Sequence, residues 1–145
     1  MNIKFIKLNE KAKAPEYTTK HSAGCDLRAC ITNKVIINPN EITVIGTGIL
    51  IEIPEEFFGM VCSRSGLAAK NGITILNSPG IIDSDYRGEI KCIMMNYSKT
   101  PFVIENGMRI AQLIIVPYKK GIWLETTELQ RSDRGTNGLG STGTY

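Results

Sequence analysis

Three acidic residues, a tyrosine and two glycines fall within Asn77 to Lys91 (NSPGIIDSDYRGEIK), between two apolar runs. The flanks, Gly72-Ile73-Thr74-Ile75-Leu76 and Ile90-Lys91-Cys92-Ile93-Met94-Met95, are rich in residues that suit a pleated surface. Pro79-Gly80 punctuates the connection as a turn, so the segment reads as a reactive hairpin. Ile81-Ile82 stands directly before Asp83, so the carboxylate is expected against apolar surface, and a partly desolvated Asp is a candidate general base. Asp83, Asp85, Arg87 and Glu89 also fit an ordinary charged strand face, and this segment alone leaves both readings open.

Two further segments carry donors for an anion. Ser63 to Gly72 (SRSGLAAKNG) reads as a short helix that Ser65 caps and Asn71-Gly72 closes. Free N–H groups at its start and the guanidinium of Arg64 would suit a phosphate, although a plain helix cap accounts for the same residues. Asp133 to Gly143 holds four glycines, two threonines, a serine and Arg134. That composition permits close backbone approach to an anion, but it lacks the Lys-Ser/Thr ending of a Walker loop and also fits a frayed polar tail.

The elements that must position these residues are short strands. Candidates are Ile3–Leu8, Lys34–Ile37, Ile42–Ile45, Ile49–Ile53, Phe58–Cys62, Ile73–Leu76, Glu89–Met95, Phe102–Ile104, Arg109–Val116 and Ile122–Glu125. Turn residues separate them, among them Asn38-Pro39-Asn40, Gly46-Thr47-Gly48 and Asn106-Gly107. Regular spacing of this kind predicts an antiparallel barrel or double-sheet jelly roll. At 145 residues, with no linker or repeat, the chain reads as one domain able to bury a core without disulfides or a structural metal. A net charge of +3 argues against general nucleic-acid binding. No apolar run reaches a membrane span and the N-terminus lacks a signal-peptide core, so a cytoplasmic protein is expected. Cys25, Cys30, Cys62 and Cys92 form no CxxC pair and are read as reduced thiols; His21 is the only histidine, which disfavours a zinc site or a histidine-centred triad.

Five segments in order resemble the motifs of the trimeric all-β dUTP diphosphatases: AGCDLRA (Ala23–Ala29), CSRSGLA (Cys62–Ala68), NSPGIIDSDYRGE (Asn77–Glu89), GMRIAQLII (Gly107–Ile115) and RGTNGLGSTG (Arg134–Gly143). The resemblance implies an all-β, jelly-roll-like double-sheet barrel with one short helix over residues 1–130. It also implies a glycine-rich arm over 131–145 that closes on a neighbouring active site in a homotrimer. The implied reaction is hydrolysis of dUTP to dUMP and pyrophosphate by attack of water on the α-phosphorus, which limits uracil incorporation into DNA and supplies dUMP for dTTP synthesis. Alternatives are a dCTP deaminase on the same scaffold and a catalytically silent binding module.

The resemblance assigns roles residue by residue. Asp83 orients and deprotonates the water. Tyr86 packs beneath the deoxyribose and excludes a 2′-hydroxyl, while Asn77 with backbone groups of Gly80 and Ile82 reads the uracil edge. Arg64, Ser65 and Gly66 form the phosphate-binding turn. Gln112, an amide inside the apolar run Ile110–Val116, holds the phosphate chain or the catalytic water. Asp26 helps hold Mg²⁺ through water, with a salt bridge to Arg28 as the plainer role, and Arg109 is a structural ion-pair partner, with a phosphate contact as the alternative. Arg134, Leu139, Gly140, Ser141 and Thr142 belong to the arm that contacts the nucleotide. Leu139 stands where the family usually has a phenylalanine that stacks on uracil, and Asn137 stands at a usual glycine. Leu139→Phe should therefore lower KM for dUTP in steady-state assays; an unchanged or higher KM would remove the stacking role.

Overall fold

The computed structural model describes residues 1–138; Leu139, Gly140, Ser141 and Thr142 lie outside the described residues. Eleven strands and one helix follow in the order β1 (Lys4–Lys7), β2 (Cys25–Arg28), β3 (Val35–Ile37), β4 (Ile42–Gly46), β5 (Ile49–Glu52), β6 (Phe57–Cys62), α1 (Ser65–Asn71), β7 (Ile73–Ile75), β8 (Gly80–Ile82), β9 (Lys91–Asn96), β10 (Phe102–Ile104) and β11 (Arg109–Pro117). The strand pairings are antiparallel and distribute over a four-stranded sheet, β2-β11-β6-β8, a three-stranded sheet, β4-β9-β7, and the ribbons β1-β5 and β10-β3.

Period-two alternation explains which residues face inward. Along β9, Cys92, Met94 and Asn96 are buried while Lys91, Ile93 and Met95 turn outward. The core is dominated by branched aliphatics such as Ile37, Ile45, Ile49, Ile73, Ile90, Ile104 and Ile110, which suit a pleated surface. A register shift between Arg109 and Ala111 lets consecutive Ile110 and Ala111 both enter the core. Beyond it, Gln112 pairs with Asp26 on one side and Cys62 on the other. The irregularity thus sets which face of β11 carries the amide.

Three expectations need correction. The stretch Ile122–Glu125 is not a strand: Ile122, Trp123 and Leu124 are 82 to 97% exposed, and among the described residues no strand pairs with them. Apolar composition suits a strand, but a strand forms only against a partner. Second, β2 and β8 lie where no strand was expected. The flanks of the Asp83 segment do pair, β7 with β9, but Gly80–Ile82 pairs with β6 in the other large sheet, so the connection is a bridge between sheets and not a simple hairpin tip. Third, the helix begins at Ser65 with Arg64 as its N-cap and no side-chain cap hydrogen bond; Gly72 closes it in the left-handed conformation as expected.

All four cysteines are free. Burial pushes the Cys92 thiol up to about 12 and raises that of Cys25, so both remain protonated at neutral pH. One buried polar knot is Asn96, whose Nδ2 donates to the carbonyls of Ile37 (2.8 Å) and Thr100 (2.9 Å) and whose Oδ1 accepts the Ser98 N–H (2.8 Å). Asn96→Ala removes all three bonds and leaves buried partners unsatisfied, so stability should fall by about 3 kcal/mol in urea unfolding. A loss below about 1 kcal/mol would mean that water replaces the amide.

Candidate active site

The centre of the site is one carboxylate with two guanidiniums. Asp26, 8% exposed on β2, forms an ion pair with Arg64 Nε at Oδ1 (3.2 Å) and accepts a hydrogen bond from Arg109 Nη1 at Oδ2 (3.2 Å). Thr18 Oγ1 donates to the same Oδ2 at 2.9 Å. Burying a charge is costly unless it is paired and hydrogen-bonded, and here three partners compensate it. The expected Asp26–Arg28 bridge is not the pairing found: Arg28 instead meets Glu16 (3.6 Å) and the Gly107 carbonyl (3.1 Å). The register explains this, because Arg28 lies opposite Arg109 while Asp26 lies opposite Gln112. Arg109 is an ion-pair partner, as expected.

Arg64 is held at two points, by Asp26 and by donation from Nη1 to the Arg109 carbonyl (3.2 Å), and it borders the adjoining cleft. That cleft, about 360 Å³, is lined by Thr18, Ser22, Gly24, Asp26, Arg64, Ser65, Gly66 and Gln112. Gln112 donates from Nε2 to the Ser63 carbonyl (3.0 Å) and lies against Gly24, where a Cβ would come within 2.8 Å of Oε1. Three segments singled out in the sequence, around Asp26, Arg64-Ser65-Gly66 and Gln112, therefore meet in one place. At Gly66 nothing in the chain opposes a side chain, so its backbone is open to the cleft.

The uridine-reading candidates form a second group. Asn77 is exposed and its amide lies over Gly80, 3.2 Å from where a Cβ would stand. Gly80 and Ile82 belong to β8, the edge strand of the four-stranded sheet, which leaves one row of backbone donors and acceptors without a strand partner in the chain. The Tyr86 ring is 43% exposed and its O–H donates to the Glu89 carbonyl (3.0 Å). Asp83 is exposed in the single chain, against the expectation of a desolvated carboxylate, because Ile81 points outward at 55% exposure and Ile82 is only half-buried. It faces a broad depression of about 1080 Å³ shared with Glu55, Glu56 and residues Tyr118 to Trp123. Arg134 is exposed and donates from Nε to the Asn137 carbonyl (3.2 Å).

The chain does not bring the two groups into a common cleft, but Ser63 connects them. Its carbonyl accepts Gln112, its Oγ accepts the Ile75 N–H (2.8 Å), and its N–H meets Ser78 Oγ (3.4 Å). Ser63 and Thr18 were not singled out from the sequence; only the first residue of the SRSG string hinted at Ser63.

Among the described residues no three His, Cys, Asp or Glu side chains cluster as a metal cage. A carboxylate has about four acceptor sites, and Asp26 commits Oδ2 to two hydrogen bonds while Oδ1 carries only the Arg64 ion contact. What remains fits one water-mediated contact to a hydrated divalent cation, the mode suited to Mg²⁺. In Asp26→Asn the new amide N–H faces a guanidinium, so stability should fall by about 2 kcal/mol, with a double-mutant coupling to Arg109→Met above about 1 kcal/mol. Additive effects would show the pair to be energetically idle.

A family model described as dUTPase matches residues 10–143. A deoxyuridine 5′-triphosphate nucleotidohydrolase from Rickettsia bellii is 54% identical over 144 residues, covering 99% of this chain and 96% of the relative. The protein of the same name from Rickettsia felis is 51% identical over 142 residues, covering 97% and 96%. Among solved structures, a mutant of the Staphylococcus bacteriophage 80alpha dUTPase with dUpNHpp superposes with a TM-score of 0.86 at 28% identity, covering 98% of both chains. A mutant dUTPase from phage phi11 of S. aureus, described with a structural Mg(II) ion, superposes with a TM-score of 0.82 at 26% identity, covering 90% of this chain and 100% of its own. With both the sequence and the strand arrangement matched over nearly its whole length, the chain belongs to the dUTPase family.

Proposed function

We infer that the protein hydrolyses dUTP to dUMP and pyrophosphate. The observation that carries this reading is the cleft in which Arg64, anchored by Asp26, stands beside the open backbone of Ser65 and Gly66 and the amide of Gln112. It offers a fixed cation and several N–H donors, the complement of a triphosphate.

In the proposed reaction Asp83 accepts a proton from water, whose oxygen forms a bond to the α-phosphorus. The bond to the oxygen bridging the α- and β-phosphorus atoms breaks, and pyrophosphate leaves with that oxygen. Arg64, Ser65 and Gly66 hold the phosphates, and Gln112 orients the chain or the water. A bound Mg²⁺ would neutralise charge on the triphosphate oxygens, with Asp26 holding it through water. Asn77 and the free edge of β8 read the uracil, since a strand edge presents donors and acceptors in a plane, as a pyrimidine edge does. Tyr86 walls off the 2′ position of the sugar.

The active unit in this reading is a homotrimer built from a barrel of residues 1–130 and an arm of residues 131–145. Support comes from the separation of the phosphate cleft from the Asp83 loop within one chain, and from the exposure of Ile122, Trp123, Leu124 and Leu129 on the segment leading to the arm. A neighbouring subunit would bring the two halves together, with Arg134, Leu139, Gly140, Ser141 and Thr142 closing over the nucleotide. No helix among the described residues is long and apolar enough to cross a membrane, and a cytoplasmic location fits the substrate.

The test is pyrophosphate release from dUTP, dCTP, dTTP and UTP with Mg²⁺. Wild type should turn over dUTP selectively, and Asp83→Asn should lower kcat by at least about 10²-fold. Turnover of dUTP by Asp83→Asn at the wild-type rate would exclude Asp83 as the base, and no turnover by wild type would leave a binding module.

A further inference from the structure

The loop that carries Asp83 and Tyr86 re-enters the body at Glu89 and Ile90, where the turn Gly46-Thr47-Gly48 receives it. The Glu89 carboxylate accepts the Gly48 N–H at 2.7 Å. Thr47 donates to the Ile90 carbonyl twice, from its backbone N–H (3.2 Å) and from Oγ1 (2.7 Å), and the Ile90 N–H donates to the Ile49 carbonyl (2.9 Å). Thr47 and Ile90 are fully buried, so these bonds are shielded from water. The turn is shaped for its guest. At Gly46 a Cβ would collide with Glu89 Oε1, and Gly48 has φ +67° with no room for a side chain between Ala12 and Cys30.

The same residue holds the Tyr86 ring. The phenol donates to the Glu89 carbonyl (3.0 Å), and the ring lies so close over Gly88 that a Cβ there would overlap its hydroxyl end. The ring is therefore placed by the backbone of Glu89, and Glu89 is placed by Gly48. Lys91 Nζ stands 3.9 Å from the carboxylate with its side chain 57% exposed, too loose and too solvated to replace the Gly48 bond.

We propose that Glu89, clamped by the Gly46–Gly48 turn, is a specificity-determining positioning residue that fixes the Tyr86 ring and so sets discrimination against 2′-hydroxyl nucleotides. The proposal rests on the dUTP reading above. A steric filter excludes an extra oxygen only if its wall does not yield. The wall here is one exposed ring on a loop, held by a single phenol bond and the fixed backbone beneath it. Filters of this size discriminate by about 10- to 200-fold, so a loosened wall should forfeit about tenfold.

The experiment measures kcat/KM for dUTP and UTP, together with thermal midpoints, for wild type, Glu89→Ala, Glu89→Gln and Gly88→Ala. In Glu89→Ala the dUTP:UTP ratio should fall about tenfold, chiefly through a lower KM for UTP. Glu89→Gln keeps an oxygen to accept the Gly48 N–H and should restore the wild-type ratio. Gly88→Ala displaces the ring while leaving the clamp intact and should lower the ratio likewise, so the proposal remains testable if Glu89→Ala does not fold. A less stable Glu89→Ala that retains the wild-type ratio would mark Glu89 as purely structural and overturn the proposal, as would an unchanged ratio in Gly88→Ala. A selective wild type with unaltered variants sinks the clamp alone; a wild type that releases no pyrophosphate from dUTP sinks the underlying reading with it.

Discussion

A buried carboxylate must find its counter-charges or the fold around it fails, and in this chain that requirement falls on Asp26. Its partners come from the end of β6 and the start of β11, so satisfying one charge joins three segments that the sequence separates widely. The sheet order β2-β11-β6 puts the strands within reach, and the ion pairs then fix where the chain leaves β6. Arg64 is aimed by that exit. Each contact to Asp26 or to the Arg109 carbonyl removes a degree of freedom from the side chain at the border of the cleft. In the proposed reaction a structural requirement of the core thus becomes the preorganisation of an anion site.

The rest of the site follows from where the sheets end. Gln112 sits between Asp26 and Cys62 because β11 is the inner strand that both neighbours flank, and the Ser63 carbonyl ties its amide at the strand terminus. Asn77, Gly80 and Ile82 lie one strand further out, at an edge without a partner in the chain. An unprotected edge is ordinarily a hazard for aggregation. Here it is only three residues long and bounded by Pro79 and the acidic residues Asp83 and Asp85, which limits strand addition while leaving its backbone groups open to something as small as a base.

Much of this was legible in the sequence, and the failures have a common cause. Apolar runs between turn residues marked β4, β5, β6, β9, β10 and β11 nearly to the residue, and Gln112 stood out because an amide in an apolar run needs a partner. Arg28, two positions from Asp26, was the obvious partner by local proximity. The real partners are residues 38 and 83 positions away in the chain, as Arg64 and Arg109, and only sheet order brings them close. Gly80–Ile82 was hidden because Pro-Gly signals a turn whatever follows it. Ile122–Glu125 misled in the opposite way, having the residues of a strand with none to pair against. In each case the local signal was sound and the missing quantity was long-range pairing, which periodicity does not encode.

As the base of the proposed reaction, the Asp83 carboxylate poses the sharpest physical question, since a base acts most strongly when water is excluded around it, yet in one chain it is exposed. Exposed Ile122, Trp123, Leu124 and Leu129 supply the complementary problem, because apolar surface of that extent is unfavourable in water. Trp123 borders the same depression as Asp83, so the surface with the strongest drive to be covered lies beside the group that most needs covering. Burying one tryptophan contributes about 5 kcal/mol if it removes about 200 Å² from water. Several such side chains together exceed the entropy lost in docking a segment of this length only if they are buried at once, which favours a single cooperative closure over piecemeal contact. In the proposed trimer, subunit association and desolvation of the base therefore share one driving force. In that trimer the apolar segment left uncovered in the isolated chain would be what keeps the completed site dry.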